Sequence, residues 1–379
     1  MTTVLLAPDG FKGSITAADA AAALSAGWLD ARPADVMIPR PMADGGEGTA
    51  AAFLAAIPGA RRVPVRVTGP HGREVAASWV LLPSTSAAPD GTGVVELAST
   101  SGIELLGDRL RPLDADTRGF GQAIAAALDH GVSRLVLGIG SSASTDAGFG
   151  ALTALGARIT DAAGTDVAPG LRGLRAAARL DRSALRSMPP GGAMVLTDVR
   201  SPLVGPTGAA AVFGPQKGLG PDEIASADAA LARAAALLET DPRAPGAGAA
   251  GGTGAALRAW GAELVPGAEI VADLVGLADA VARAEVVITG EGAFDASSGA
   301  GKVPGRIAAL AGARPVGLVA GRIGPDADTS AFTVTISLVD LAGSTAAALA
   351  DPARWLRAAG RALAERFGPP PPAPGARNS

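Results

Sequence analysis

The sequence predicts an α/β protein in which a doubly wound parallel sheet is interrupted by a second, inserted α/β domain. Three observations predict it. Short apolar runs at both ends of the chain alternate with helix-like stretches, as in a parallel sheet buried on both faces. The runs are grouped, two early and three late, so one five-stranded sheet of flavodoxin-like order would be divided by a long middle. The chain has 379 residues and 48% hydrophobic content, more than one core usually serves.

The elements follow in order. The apolar run 3–7 stops at Pro8 and Asp9, after which Ser14 or Thr16 can cap an alanine-rich helix through about Trp28. A second strand at 36–38 completes a βαβ-length unit. The late runs at 286–289, 316–320 and 333–338 supply three more strands, so the first domain is expected over 1–65 and 286–367. The inserted domain, 66–285, opens on the hairpin pattern "VTGPHGREVAASWVLL", followed by a polar loop at 84–93 and a strand at 94–97. Thr117 is placed to cap a helix that His130 and Gly131 close, and further strands are expected at 134–137 and 193–196. The end, "GPPPPAPGARNS" at 368–379, reads as a disordered polyproline tail.

Composition excludes several classes of function. Without cysteine there is neither a disulfide framework nor a thiolate zinc site, and the expected compartment is the cytoplasm. A net charge of -4 argues against binding to nucleic acid, and the first residues lack the pattern of a cleavable leader. No apolar window is long enough for a membrane span. The oligomeric state is not written in the sequence.

Asparagine occurs once, at Asn378, and only three of the 32 basic residues are lysines, as in a chain drifting toward GC-rich codons. A lysine that survives such a drift is expected where a planar guanidinium will not fit. The survivors, Lys12, Lys217 and Lys302, all lie in glycine-containing segments.

Five segments gather Asp, Glu, Ser, Lys and Gly just after expected strands, where open α/β sheets bind ligands. They are "APDGFKGS" (7–14), "PMADGGEGT" (41–49), "GIGSSASTDAGFG" (138–150), "TDVRSPLVGPTGAAAVFGPQKG" (197–218) and "TGEGAFDASSGAGKVPGRIA" (289–308). Glycine lets backbone N–H groups approach an anion, and neighbouring carboxylates can hold a metal that the anion also needs. Phosphate with magnesium fits that inventory.

Two familiar motifs compete. "ASSGAGK" has the tail of a phosphate-binding P-loop, but Ala296 replaces its first glycine and Val303 its Ser or Thr. Gly138, Gly140 and Ala143 do match G-x-G-x-x-A, with Asp161 about 20 residues on, and carry an alternative reading as a NAD(P)-dependent dehydrogenase of a small hydroxy acid. A non-catalytic sensor of a small acid is a second alternative. With no cysteine, His130 at a helix end and His71 in a turn, a Ser-His-Asp hydrolase is disfavoured.

Taken together in this order, and with "PGAGAAGGTGAAL" at 245–257, the segments resemble the type I glycerate kinase family over roughly residues 3–365. The resemblance implies a flavodoxin-like domain interrupted by a second α/β domain, and an enzyme that phosphorylates D-glycerate with ATP and Mg2+, favouring the 2-phosphate. Phosphoryl transfer asks mainly for positioning and charge neutralisation, which this inventory can supply. Asp198 is then the expected base, with Lys12 and Lys217 as catalytic cations. Asp9, Asp44, Glu47, Ser141, Ser142, Asp146 and Arg118 are the expected acid-binding groups. Gly290, Gly292, Gly299, Gly301 and Lys302 would take the nucleotide, and Glu291 with Asp295 the metal. Asp9, Lys12, Asp44 and Glu47 are expected at the rim of the first sheet, with the inserted domain closing a cleft over them. The chain departs from the family at Gly10 (usually Ser), Thr145-Asp146-Ala147 (Asn-Asp-Gly), Ser201-Pro202 (Asn-Pro) and Ser297 (Gln), which bears on substrate preference and turnover.

Overall fold

The computed structural model describes residues 1–11, 13–295 and 303–367. In chain order its strands are β1 (Thr3–Pro8), β2 (Val36–Pro39), β3 (Arg61–Thr68), β4 (Glu74–Leu82), β5 (Thr92–Glu96) and β6 (Arg134–Gly138). They continue with β7 (Arg158–Thr160), β8 (Arg179–Asp181), β9 (Ala193–Leu196), β10 (Glu263–Val265), β11 (Val286–Phe294), β12 (Val316–Ile323) and β13 (Val334–Ser337). The chain divides into two compact units, 1–42 with 275–379, and 43–274.

The first unit is a five-stranded parallel sheet in the order β13-β12-β11-β1-β2. Renumbered within the unit this is 2-1-3-4-5, the flavodoxin order that the apolar runs predict. Thr16 caps the helix Ala17–Ala31 by accepting from the Asp19 N–H. That helix packs on Pro352–Arg366 with direct backbone contact at two glycines: a Cβ on Gly27 would stand 1.8 Å from the Arg357 carbonyl oxygen, and one on Gly360 2.2 Å from that of Leu24. Val4, Leu6, Leu24, Trp28, Ile288, Val319 and Leu363 form the core on this face. Each such side chain contributes about 1.5–3 kcal/mol of burial.

The second unit carries a mixed six-stranded sheet, β10-β9-β6-β5-β4-β3, and a small β7-β8 pair. Strands β5, β6, β9 and β10 run parallel, whereas β3 and β4 form an antiparallel hairpin joined through the turn that holds His71. In that turn the Arg73 N–H donates to His71 Nδ1 at 3.1 Å. Trp79, Phe120, Ile124, Leu135, Leu137 and Leu231 lie in the unit's core. His130 closes the helix Arg118–Asp129, and Gly131 follows in the left-handed region.

Two expectations are corrected here. The boundaries expected at 65/66 and 285/286 lie instead at 42/43 and 274/275. The hairpin begins at Arg61, paired with Leu81, and so draws the preceding helix Thr49–Ala56 into the second unit, while the helix Leu277–Arg283 packs against β1 in the first. Thr117 precedes the helix Arg118–Asp129 but does not cap it: its hydroxyl donates to Asp146 at 2.8 Å and accepts from the Ala151 N–H at 2.9 Å. The tail at 368–379 lies outside the described residues. Among the described residues no helix is long and apolar enough to cross a membrane.

Candidate functional site

In the second unit the carboxyl ends of three parallel strands are level: Glu96 on β5 pairs in register with Gly138 on β6, and Gly138 with Leu196 on β9. Three glycines bring the segment 43–48 down onto these ends. The Gly140 N–H donates to the Gly45 carbonyl at 3.0 Å. A Cβ on Gly45 would stand 2.4 Å from the Leu196 carbonyl oxygen, one on Gly140 2.4 Å from Gly46 Cα, and one on Gly267 1.8 Å from the Asp44 carbonyl oxygen. No side chain fits in any of these contacts. Asp44 and Glu47 project from this segment and are exposed. By their contacts they belong to the second unit. Below them Glu96 is buried, its carboxylate accepting from the N–H groups of Gly48 at 3.2 Å and Ala50 at 3.0 Å. Burial pushes the Glu96 carboxyl up, the two N–H groups pull it back, and the charge of Glu47 adds to the rise.

Beside it runs the hydroxyl-rich loop after β6. Its centre is Asp146, 1% exposed, which accepts from the N–H groups of Thr117, Gly148 and Gly150 and from the hydroxyls of Thr117 and Ser144 at 2.8–3.2 Å. Five donors fill a carboxylate's acceptor capacity. Asp146, expected to bind substrate, is thus committed to holding the loop. Lys217 is 3% exposed, and its ammonium donates to Ser142 Oγ at 3.1 Å and to the Ser144 carbonyl. Burial brings Lys217 down to about 8, against the opposing pull of Asp146.

Backbone strain is concentrated at this loop. Ser141, Ala147 and Ala250 have φ of 57°, 52° and 53°, in the region disfavoured for side chains. Ala250, Gly251 and Gly252 are left-handed in succession, and a Cβ on Gly251 would stand 2.1 Å from the Ser144 carbonyl oxygen. The Gly251 carbonyl accepts from the Ala147 N–H, and Ser142 Oγ donates to that of Ala250. Such strain persists only where surrounding contacts over-determine it, and it gathers at functional sites. Asp198, exposed just beyond β9, is oriented by the Gly267 N–H at 2.9 Å from its Oδ1.

The structure therefore brings Asp44, Glu47, Ser141, Ser142, Asp146, Asp198 and Lys217 to neighbouring loops of one sheet edge. Arg118, next to the Thr117 that bonds Asp146, turns its side chain to a neighbouring cavity. It faces Asp116 at 3.6 Å and lines a cavity of about 320 Å³ with Phe149, Arg158 and Leu174, a lining that includes neither serine nor Lys217. Burial and the nearby Asp146 raise Asp116 to about 6.

In the first unit, Asp9 follows β1 and its N–H donates to the Gly290 carbonyl at 2.8 Å. Glu291 lies near the end of β11 and Asp295 just beyond it. Gly290, expected to approach a nucleotide, is required by the sheet itself, since a Cβ there would stand 2.1 Å from the Val319 carbonyl oxygen. Beside Gly292 it is Gly321 that must lack a side chain, since a Cβ there would stand 2.3 Å from the Gly292 carbonyl oxygen. Lys12, Ser297, Gly299, Gly301 and Lys302 lie outside the described residues.

Sequence reasoning missed Glu96, Asp116 and the role of Thr117. Glu96 carried a usable signal, an acid ending an apolar strand. The dehydrogenase alternative loses its geometry, because a dinucleotide-binding glycine turn opens directly into a helix. Here Gly138 and Gly140 pack on Gly45 and Gly46, and the next helix, Phe149–Ala154, begins nine residues after Gly140.

The sequence model of the glycerate kinase family matches residues 4–368. The glycerate 2-kinase of Escherichia coli K12 is 40% identical over 317 residues, 81% of either chain. The glycerate kinase of Haemophilus influenzae is 38% identical over 335 residues, 86% of this chain and 87% of its own. A crystal structure of a chain assigned as glycerate kinase 2 from Salmonella typhimurium LT2 superposes with a TM-score of 0.80 at 37% identity, covering 97% of this chain and 98% of its own. Agreement over the whole length, in sequence and in fold, means that this chain belongs to the glycerate kinase family and is an enzyme.

Proposed function

We propose that this glycerate kinase transfers the γ-phosphoryl group of ATP, with Mg2+, to the 2-hydroxyl of D-glycerate. The observation that carries the reading is the gathering of Asp44, Glu47, the Ser141–Ser142 hydroxyls and Asp198 at level strand ends, on a chain matched to the family throughout. Exposed carboxylates can accept hydrogen bonds from the hydroxyls of a small hydroxy acid and the serine hydroxyls can donate to its anionic groups, an arrangement that suits such a ligand better than an apolar one.

Asp198 is the base. Its Oδ1 is oriented by the Gly267 N–H, and an exposed carboxylate at a strand end can accept the proton that the substrate hydroxyl loses. Ser141 and Ser142 orient the acid, and Lys217 acts through Ser142, whose Oγ it holds. The donor set of β11 fits Mg2+, which takes hard oxygen ligands and is commonly held by one or two carboxylates together with phosphate oxygens. Glu291 and Asp295 would hold it, and when bound it neutralises the charge of the transferring group. Lys12 is the other catalytic cation of the reading, and Lys302 with the glycines 299 and 301 completes its nucleotide side.

The test is an assay of ATP consumption with a panel of short sugar acids, with and without Mg2+. D-Glycerate should be the preferred acceptor, and the product should feed enolase without added phosphoglycerate mutase. A need for the mutase would assign the 3-hydroxyl. Nicotinamide turnover in place of ATP consumption would overturn the kinase chemistry.

A further inference from the structure

We infer that Glu96 is a positioning residue for the acidic loop: it caps the helix Thr49–Ala56 from another strand and thereby fixes where Asp44 and Glu47 stand. The inference rests on the functional reading above, in which those two acids meet substrate.

The helix Thr49–Ala56 begins at Gly48, a residue with no side chain to cap it and a left-handed φ of 87°. Its first N–H groups still need acceptors. Neither acid of its own loop supplies them: Asp44 Oδ1 accepts from the Gly46 N–H at 3.0 Å, and Glu47 is exposed. Glu96 does so from 46 and 48 residues away, with one carboxylate oxygen on Gly48 and the other on Ala50. A negative group at a helix N-terminus is favoured by the helix dipole as well as by the two hydrogen bonds.

The direction of the arrangement is informative. Glu96 is 6% exposed, so a carboxylate has been desolvated at the end of β5 to supply a cap that no side chain at position 48 could supply, because the left-handed backbone there is strained for any residue but glycine. Capping from the sheet ties the loop to the same strand end that, through Gly138, sets the level of the serine loop. The backbone of 43–48 is pinned on its other side by the Gly45–Gly140 hydrogen bond. Asp44 and Glu47 are therefore presented by a rigid backbone, with their own carboxylates left to face solvent or ligand.

The test is Glu96→Gln, whose amide can accept one N–H but turns donors toward the other. The glycerate KM and kcat are measured per folded molecule, alone and combined with the pair Asp44→Asn and Glu47→Gln. The expected result is a fall in kcat/KM on the order of 10- to 100-fold for Glu96→Gln, and little further loss when both acids are already neutral. Unchanged constants per folded molecule, or fully multiplicative losses, would overturn the inference, since a merely structural glutamate lowers the folded fraction alone. Glu96→Asp, one methylene shorter, takes the place of Glu96→Gln if that variant does not fold. Amide exchange on the wild-type chain is read independently of activity: Gly48 and Ala50 should be strongly protected, and fast exchange at both would also overturn the inference. Protected amides in a chain that phosphorylates no glycerate would instead locate the failure in the functional reading.

Discussion

Two acidic loops meet at one sheet edge in the second unit, and they use the same functional group in opposite ways. In the loop after β6, Asp146 is buried and surrounded by five donors, so its charge is spent inside the protein. In the segment 43–48, Asp44 and Glu47 are exposed, and the buried charge that organises them is Glu96, on another strand. The first loop contains its own scaffold and the second borrows one. A carboxylate that builds a site and one that works in it are thus told apart by the donors around it, not by residue type or by nearness to glycine.

Breaking the first loop should have the largest effect. Asp146→Ala leaves five buried donors without their acceptor, and each unsatisfied group costs about 1–3 kcal/mol before any relaxation. A loss of stability of about 4 kcal/mol or more is expected in urea unfolding. An Asp146→Ala chain with near-wild-type stability and lost activity would return Asp146 to the acid-binding role. Asp44→Asn is the counterpart: stability within about 0.5 kcal/mol, since the residue is exposed, but kcat/KM down on the order of 100-fold. If it destabilises without slowing turnover, the contrast between the loops fails.

Lys217→Arg sharpens the comparison at the boundary of the Asp146 loop. A larger guanidinium must fit the buried position of an ammonium bonded to Ser142 and Ser144, so about 1–3 kcal/mol of stability should be lost along with activity. A silent swap would show that the ammonium is not confined.

A smaller effect is expected from pH. Asp116 is raised to about 6 from 3.8, so the folded state holds more protons than the unfolded chain between those values. Its contribution is present below about pH 4 and is lost as the pH rises through 6, on the order of 2–3 kcal/mol. Lys217 has the opposite sign of slope: lowered to about 8 from 10.5, it adds stability as the pH climbs between those values. Asp116→Asn should flatten the acidic limb of the stability profile and leave the alkaline limb unchanged, as read by thermal melts from pH 4 to 10.

The five strands of the first sheet were legible because strands buried on both faces are written as continuous apolar runs, and β1, β11 and β12 keep that pattern. The domain boundary was not legible, because β3 reads "RRVPVRVT", an alternating run with a proline. Pro64 is tolerated since β3 is an edge strand, yet the same proline argues against a strand when only sequence is seen. The segments that carry the site were found by composition, and roles within them were not. That Asp146 is saturated depends on Thr117, 29 residues earlier, and that Asp44 is held depends on Glu96, so neither could be read from its own neighbourhood.

The seam formed by Gly45, Gly140 and Gly267 has a consequence for how this site can vary. It is made of main chain alone, so there are no rotamers to freeze in it and nothing to repack when residues around it change. The same property leaves each of the three positions a single direction of change, the gain of atoms, into a gap that a Cβ would enter at 1.8–2.4 Å. A saturation library over these three positions should therefore show glycine kept and every other residue lost, with no intermediate class, in contrast to the graded losses expected in the surrounding core. Codon drift toward glycine and alanine, which has left this chain three lysines and one asparagine, cannot erode a joint whose only permitted residue is one that the drift favours.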